Sequence, residues 1–502
     1  MSTSVDVHRS DPATASPPEG MKREFTLWSA FSLAFVFVSP IVAMYGIFGL
    51  GLETVGPAFW WGWVVTLTGQ LTVAIALGVL ASRWPLAGGV YQWSRRLVSQ
   101  KYGWFAGWAY TWALLIALSS VSYSGSVFIA ILFGLDASSP AVLVPLSVAF
   151  LVVTTLVNIS GRAVVKAVAT ACIVAEIVGS VGVAVYLLLF GREQDPSFLT
   201  EGLAAAPETP FMMTPFVLLV AIAGWSFLGF ESASSIAEEV KNPRHAVPRA
   251  IVFSLLGVGL VILFTSFAIL LAIPDLPQIL AASEGDPIIA VLAYHFPPVV
   301  VDVILVLFII AFLASLVGIQ AAASRLVWAN AREDELPAAA WLKRLRGEGG
   351  LPVNAILVTG LAAIGVLLVL QNDYANTLLV SFTTVGFYVA FAFPVVGLAY
   401  ARIRGTWHPG ERLFMGRAGT VISWIALVWL ALEITNVLWP REAPELWWVN
   451  FAPLIASVVV AGAGVLVYRL SPVGRGHVAP SSELSARTDF TPTVPNTSRE
   501  GE

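Results

Sequence analysis

Residues 27–50 run without a single charged side chain, and the run is broken near its middle by Ser39-Pro40. About 20 apolar residues in a helix cross the ~30 Å hydrocarbon core of a bilayer, so this run has the make-up of a spanning segment. A proline inside it removes one backbone donor and presses on the carbonyl one turn earlier. The groups released lie at membrane depth. Lipid cannot satisfy them, and irregular backbone at that depth persists only where protein encloses it or where it lines a polar cavity. Discontinuous helices of this kind are characteristic of secondary transporters.

The rest of the chain has the same character. Hydrophobic residues make up 57% of the 502 and charged residues 12%, with mean hydropathy +0.82, which excludes an ordinary soluble domain. Nearly charge-free stretches predict twelve spanning helices near 27–50, 57–82, 104–134, 141–159, 163–190, 211–238, 248–273, 299–329, 353–371, 376–401, 418–438 and 447–468. The fold class is therefore an all-α membrane protein. Placing both termini in the cytoplasm leaves only Arg192 and Arg441 of the 27 basic residues outside, as the positive-inside rule requires. The outer connection at 274–298 carries Asp275, Glu284 and Asp286 with no Lys or Arg. Residues 1–24 and 471–502 are polar and rich in Pro, Ser and Thr, and are expected to be disordered cytoplasmic tails without a cleaved leader.

Several functions fall away on composition. The net charge of -4 is spread over loops and tails with no basic stripe, so no nucleic-acid partner is expected. Cys172 is the one cysteine, which excludes an internal disulfide and reads as a small core residue. The histidines His8, His245, His295, His408 and His477 are scattered, and no HExxH, GxSxG or cysteine cluster occurs, so neither an enzyme, a metal site nor a cofactor is expected. Thr384-Val385-Gly386-Phe387-Tyr388 is similar to a potassium filter but lacks its closing glycine and sits inside a full-length span, which argues against a channel.

A second interruption lies in the sixth span, where Gly224-Trp225-Ser226-Phe227-Leu228-Gly229 precedes Glu231. Each glycine weakens a helix by about 1 kcal/mol relative to alanine and lets another chain approach closely. Breaks in spans one and six are what two inverted five-helix repeats produce, each opening on a discontinuous helix with the site between them. Glu231 lies about 15 Å along a helix from Lys241, and Glu176 about 15 Å from Lys166, which puts both acids near the bilayer midplane. A carboxylate there costs on the order of 3 kcal/mol unless it is protonated, paired or wetted, and is a functional candidate for that reason. The alternative is a hydrogen-bonded structural staple. Tyr45, Tyr123, Trp225, Phe227, Phe230 and Tyr388 fall at similar depths, where an aromatic face attracts an ammonium group within about 6 Å. Hydroxyls at Ser119, Ser120, Ser122, Ser124, Ser315, Ser381, Thr383 and Thr384 either face the substrate or bond neighbouring helices. Trp60, Trp61, Trp104, Trp439 and Trp447 lie at span ends and read as interfacial anchors.

Pro85-Leu86-Ala87-Gly88-Gly89-Val90-Tyr91 after span two, Gly229-Phe230-Glu231 in span six, Glu238-Glu239-Val240-Lys241-Asn242-Pro243 with Pro248-Arg249, and Ser324-Arg325 with Ala331-Arg332-Glu333-Asp334-Glu335-Leu336-Pro337 are further motifs. Through them the chain resembles the amino acid–polyamine–organocation superfamily of permeases, in particular its branch of amino acid, choline and aminobutyrate carriers. The resemblance implies a leucine-transporter-like five-plus-five core at 25–405, two added helices at 406–470, and alternating access. It also implies a structural or gating role for Gly88-Gly89 and Asn242-Pro243. In sodium-independent relatives a basic residue of span five often stands where sodium binds in sodium-coupled ones; here the spacing from Gly161 brings Glu176 to that place. Carriers of α-amino acids usually have a glycine-rich break in span one that clamps the substrate carboxylate, whereas this segment is Ser39-Pro40-Ile41-Val42-Ala43, which leaves room for aminobutyrate, choline-like or polyamine substrates.

The expected function is an ion-driven permease, proton-coupled, for an amino acid or related amine in the cytoplasmic membrane. The alternatives are an exchanger of the same fold and a nutrient sensor that does not transport. Expected substrate contacts are Ser39, Pro40, Ile41, Tyr123, Trp225, Ser226, Phe227, Gly229 and Glu231; expected coupling residues are Glu176 and Glu231.

Overall fold

Thr26 opens the first helix with a reciprocal cap, its hydroxyl accepting from the Ser29 N–H at 3.3 Å while the Ser29 hydroxyl accepts from the Thr26 N–H. A computed structural model describes residues 26–282, 286–346, 350–372, 374–408, 414–441, 444–472 and 474. The tails expected at 1–24 and 471–502, apart from Ser471, Pro472 and Gly474, lie outside the described residues, as do His8, Glu284 and His477.

Among the described residues the regular structure is helical, save one antiparallel bridge between Arg346 and Leu351. The first run is two helices, α1 (Leu27–Val38) and α2 (Pro40–Val55), joined at Ser39 with φ +50°. They are followed by α3 (Phe59–Arg83), the short α4 (Gly89–Leu97), α5 (Gln100–Leu132), α6 (Pro140–Ile159) and α7 (Arg162–Ala175). A π-helical segment, Glu176–Gly182, links α7 to α8 (Val183–Phe190). Then come α9 (Pro215–Ala223), α10 (Pro243–Leu271), the short α11 (Leu276–Ala282) and α12 (Pro287–His295), α13 (Pro298–Arg332), the one-turn α14 (Ala339–Leu342), α15 (Val353–Val369), α16 (Ala375–Ile403), α17 (Gly416–Leu438) and α18 (Trp447–Leu470).

Eleven helical segments among the described residues are long and apolar enough to cross a membrane, while α15, at 17 residues, is a shorter apolar helix. In α5, 83% of the apolar window is buried, against 11% in α18, so α5 is the central post and α18 a peripheral helix. α5 packs on α13 and α16, α3 on α10, and α1 on α10. Val458, Val459 and Leu466 of α18 are exposed, as expected of side chains that meet lipid tails.

Three local expectations are corrected. The sixth span is α-helical only over α9; below it the chain forms 3-10 turns over Gly224–Phe227 and Phe230–Glu239, with an extended Leu228 and a left-handed Gly229 between them. α10 starts at Pro243, earlier than 248, because Asn242 turns the chain at φ +50° and Pro243 suits a first helical position. Trp104 is not a belt residue. It is 2% exposed, donates from Nε1 to the Glu335 carbonyl at 3.0 Å and stacks on Trp108.

Candidate functional site

The two broken helices meet. Ser226 of the sixth-span break donates from Oγ to the Ala43 carbonyl of α2 at 2.5 Å and accepts from Trp63 Nε1 at 2.8 Å. Gly229, at φ +93°, receives the Phe37 ring of α1 so closely that a Cβ there would lie 2.3 Å from Phe37 Cε1. Only glycine fits both that backbone and that contact.

Between the breaks lies a small cavity. Phe37 and Val38 of α1, Val42 and Ala43 of α2, and Trp225, Ser226 and Leu228 of the sixth-span break form two of its walls. Ala117 and Val121 of α5, Ser315 and Ile319 of α13, and Thr383 and Phe387 of α16 complete it. No charged side chain is among these lining residues. The hydroxyls are committed: Ser315 donates to the Phe37 carbonyl at 2.7 Å and Thr383 to the Leu379 carbonyl at 2.7 Å. The indole N–H of Trp225 is buried without an acceptor among the described residues, and so offers a ligand a donor.

Glu176 and Glu231 are each tied to one break. Glu231 is 1% exposed; its Oε1 accepts from the Tyr110 hydroxyl of α5 at 2.6 Å, and Oε2 has no hydrogen-bond partner among the described residues. The Tyr110 ring lies 6.0 Å from that of Phe387, a cavity residue, so this pair sits one ring behind the wall. Glu176 is 3% exposed and opens the π-helical segment. Its Oε1 accepts a short hydrogen bond from the Ser39 hydroxyl, and the Ile41 N–H lies 3.3 Å from Oε1 and 3.2 Å from Oε2. Glu176 is thus in direct contact with the first break.

Of the residues expected to contact substrate, Trp225 and Ser226 line the cavity. Ser39, Pro40, Ile41, Phe227 and Gly229 are in the two breaks but behind its surface, Glu231 is behind Phe387, and Tyr123 is buried on α5 away from the lining. Sequence reasoning passed over Phe37, Ala117, Val121 and Tyr110. A helical spacing of 110, 117 and 121 puts three of them on one face of α5, which is the signal that would have found them.

A second void opens beyond Gly46. Tyr45, Gly46 and Glu53 of α2, Ser124 of α5, Asp286 and Asn376 are among its walls. A Cβ on Gly46 would lie 2.9 Å from the Trp225 ring, so that ring stands between the two spaces. Asp286 caps α12, accepting from the Ile288 N–H at 2.8 Å; burial lifts its carboxyl to about 7 despite that bond, with the nearby Glu53 adding to the rise.

On one side of the bundle Tyr91 of α4 donates to Glu335 Oε1 at 2.8 Å, and Arg95 Nη1 donates to the Tyr91 hydroxyl at 3.0 Å. The Ala87 N–H reaches Glu238 Oε1 at 3.3 Å. The Pro85–Tyr91 motif is thereby fastened both to the end of the sixth span and to the segment after α13.

The sequence profile of the amino acid permease family matches residues 25–463. An uncharacterized amino-acid permease of Schizosaccharomyces pombe is 28% identical over 483 residues, covering 88% of this chain and 82% of that protein. Amino-acid permease BAT1 of Arabidopsis thaliana is 22% identical over 478 residues, 88% of this chain and 90% of its own length. A putative polyamine transporter of Candida albicans is 24% identical over 445 residues, 84% and 79% of the two chains. A helical bundle apolar enough to span a membrane, a profile match over most of the chain and relatives aligned along most of their lengths agree: this multi-pass membrane protein belongs to the amino acid permease family, within the amino acid–polyamine–organocation superfamily.

Proposed function

We propose that the chain is a secondary active carrier that moves an amino acid or related amine across the cytoplasmic membrane by alternating access, driven by a proton gradient. The observation that carries this reading is the cavity between the two broken helices, uncharged on its lining and faced by Phe37, Trp225 and Phe387. Aromatic faces attract an ammonium group, and the unpaired Trp225 N–H suits an acceptor on the same ligand.

The carrier has twelve spans with both termini cytoplasmic. α15, at 17 residues, is about 26 Å long and serves as the ninth, since a bilayer thins slightly around a short helix at modest cost. Residues 25–405 form the five-plus-five inverted-repeat core, and 406–470 contribute the two added helices. Discontinuity at Ser39 and at Gly224–Gly229 supports that division, because each repeat opens on a broken helix. Ser39, Pro40, Ile41, Phe227 and Gly229 shape the site from behind, Trp225 and Ser226 face the substrate, and Glu176 and Glu231 carry the proton.

Proteoliposomes holding the full chain test this with labelled amino acids and amines under imposed proton or sodium gradients. At least one compound should accumulate with an inward proton gradient, and Glu176→Gln and Glu231→Gln should each abolish the gradient-driven component. Full accumulation in both variants would overturn the coupling assignment; no gradient-driven uptake of any compound by the wild type would overturn the carrier itself.

A further inference from the structure

The first turn of a helix leaves its N–H groups without intrahelical partners, and a substrate carboxylate is a natural ligand for them. In α2 no such donor is free. Pro40 has none, the Ile41 N–H goes to the Glu176 carboxylate, the Val42 N–H to Ser39 Oγ at 3.3 Å and the Ala43 N–H to the Ser39 carbonyl at 2.8 Å. The chain's own Glu176 carboxyl group occupies the anion position of the first break, at Ile41 beside Val42 of the cavity wall.

Among the described residues, Glu176 is held there by hydrogen bonds and the helix end alone. The titratable groups facing it are Tyr45 of α2 and Cys172 of α7, neither a cation. The π-segment also packs on α8, α10 and α13. α8 carries no ionisable group near Glu176. Arg249 of α10 and Arg325 of α13 lie toward one end of their helices and Asp302 of α13 toward the other, about two turns or more from this level. Two carboxylates cannot both stay ionised on one set of donors. The π-helical segment that carries Glu176 is a weakly bonded form that recurs at functional sites, and it gives the side chain a route to withdraw.

We propose that the Glu176 carboxylate and the carboxylate of the substrate are alternative occupants of the Ile41 N–H and Ser39 hydroxyl, so that an α-amino acid binds only as Glu176 takes up one proton. The inference rests on the reading of the cavity as the substrate site. The exchange balances: one proton from solvent joins a Glu176 oxygen, that oxygen gives up its two donors, and the entering carboxylate accepts them. Net charge at the break is unchanged. Substrate and proton then enter together because they compete away the same internal anion.

The test uses the purified full chain in lipid nanodiscs and matched pairs, each an α-amino acid and its decarboxylated amine: leucine with isoamylamine, phenylalanine with phenethylamine, ornithine with putrescine. Calorimetric titration at several pH values that span the ionisation of Glu176, each in two buffers of different ionisation enthalpy, counts protons, and the counts that decide are those above that ionisation. The expected result is about one proton taken up per amino acid bound and about none per amine, with amino acid affinity falling about tenfold for each pH unit above the ionisation of Glu176, and with Glu176→Gln binding the amino acid without proton uptake. Proton-free binding of the amino acid by wild type overturns the proposal, as does uptake that persists in Glu176→Gln. Binding of the amines with none of the amino acids also overturns it, since Glu176 is then a permanent occupant that selects against carboxylates. If the variant does not fold, the wild-type comparison within each pair decides alone. Binding of no member of any pair removes the substrate-site reading, a failure distinct from the others.

Discussion

Gly229→Ala tests the meeting of the two breaks most directly. The residue has φ +93° and ψ 0°, where a side chain costs about 1–2 kcal/mol. The added methyl carbon would lie 2.3 and 2.4 Å from Cε1 and Cδ1 of Phe37, so the ring must move, and overpacking of this kind costs about 1–3 kcal/mol. Together these disfavour the observed arrangement by about 2–5 kcal/mol. At 1.4 kcal/mol per factor of ten, that is between about thirtyfold and several thousandfold, and apparent affinity falls with the population of the binding-competent form. Phe37→Ala removes the overlap and leaves the backbone cost. On that background Gly229→Ala should cost only about five- to thirtyfold. The assay is ligand affinity of purified protein for whichever compound the uptake panel identifies, with the thermal midpoint as a check on folding. Wild-type affinity in Gly229→Ala, or an equal penalty with and without the Phe37 ring, would refute the packing argument.

Gly46→Ala would bring a methyl group to 2.9 Å from two carbons of the Trp225 ring; ligand affinity should fall at least fivefold, with a changed tryptophan emission, and no change in either would show that Trp225 is not a wall between the two voids. Tyr110→Phe removes the hydroxyl that donates to Glu231 Oε1, a bond of the charged class worth about 1.5–3 kcal/mol, so gradient-driven uptake should drop tenfold or more; unaltered uptake counts against Glu231 as a proton carrier. At Glu335, burial pushes the carboxyl up to about 7, against about 4.3 in an unfolded chain. The unfolded chain therefore loses its proton first as pH rises, and the stability tied to the protonated form is whole below about 4.3 and lost as pH climbs through 7. Thermal midpoints of wild type should decline between pH 5 and 7, and Glu335→Gln should flatten that decline; an identical slope in the variant assigns it to another group.

Local backbone chemistry was legible in the chain; partners far apart along it were not. A proline in an uncharged run announces a broken helix because the missing donor and the clash act within one turn, and the break is at Ser39, the residue before Pro40. Glycines around Trp225 announce a second break, yet give no hint that the lower half of that span is 3-10 rather than α, since a few hydrogen-bond registers separate the two and tertiary contacts choose between them. Trp104 looked like a belt residue because a span end and an indole are all that one dimension offers, while its acceptor, the Glu335 carbonyl, lies 231 positions away.

The same limit hid the part that matters for mechanism. Depth alone marked Glu176 and Glu231 as costly and hence functional, but their roles depend on what each one holds. Glu231 joins the sixth-span break to α5 through Tyr110, and Glu176 joins the first break to the segment between α7 and α8 through Ser39 and Ile41. Each acid thus bonds a discontinuous helix to a different neighbour, at the place where the backbone is least bonded to itself. A proton gained or lost at either one alters the hold on a single break, and the cavity lies between both. The proposed proton coupling therefore needs no ion path through the cavity, because the two acids it assigns to the proton are the ones whose bonds position the cavity's two walls.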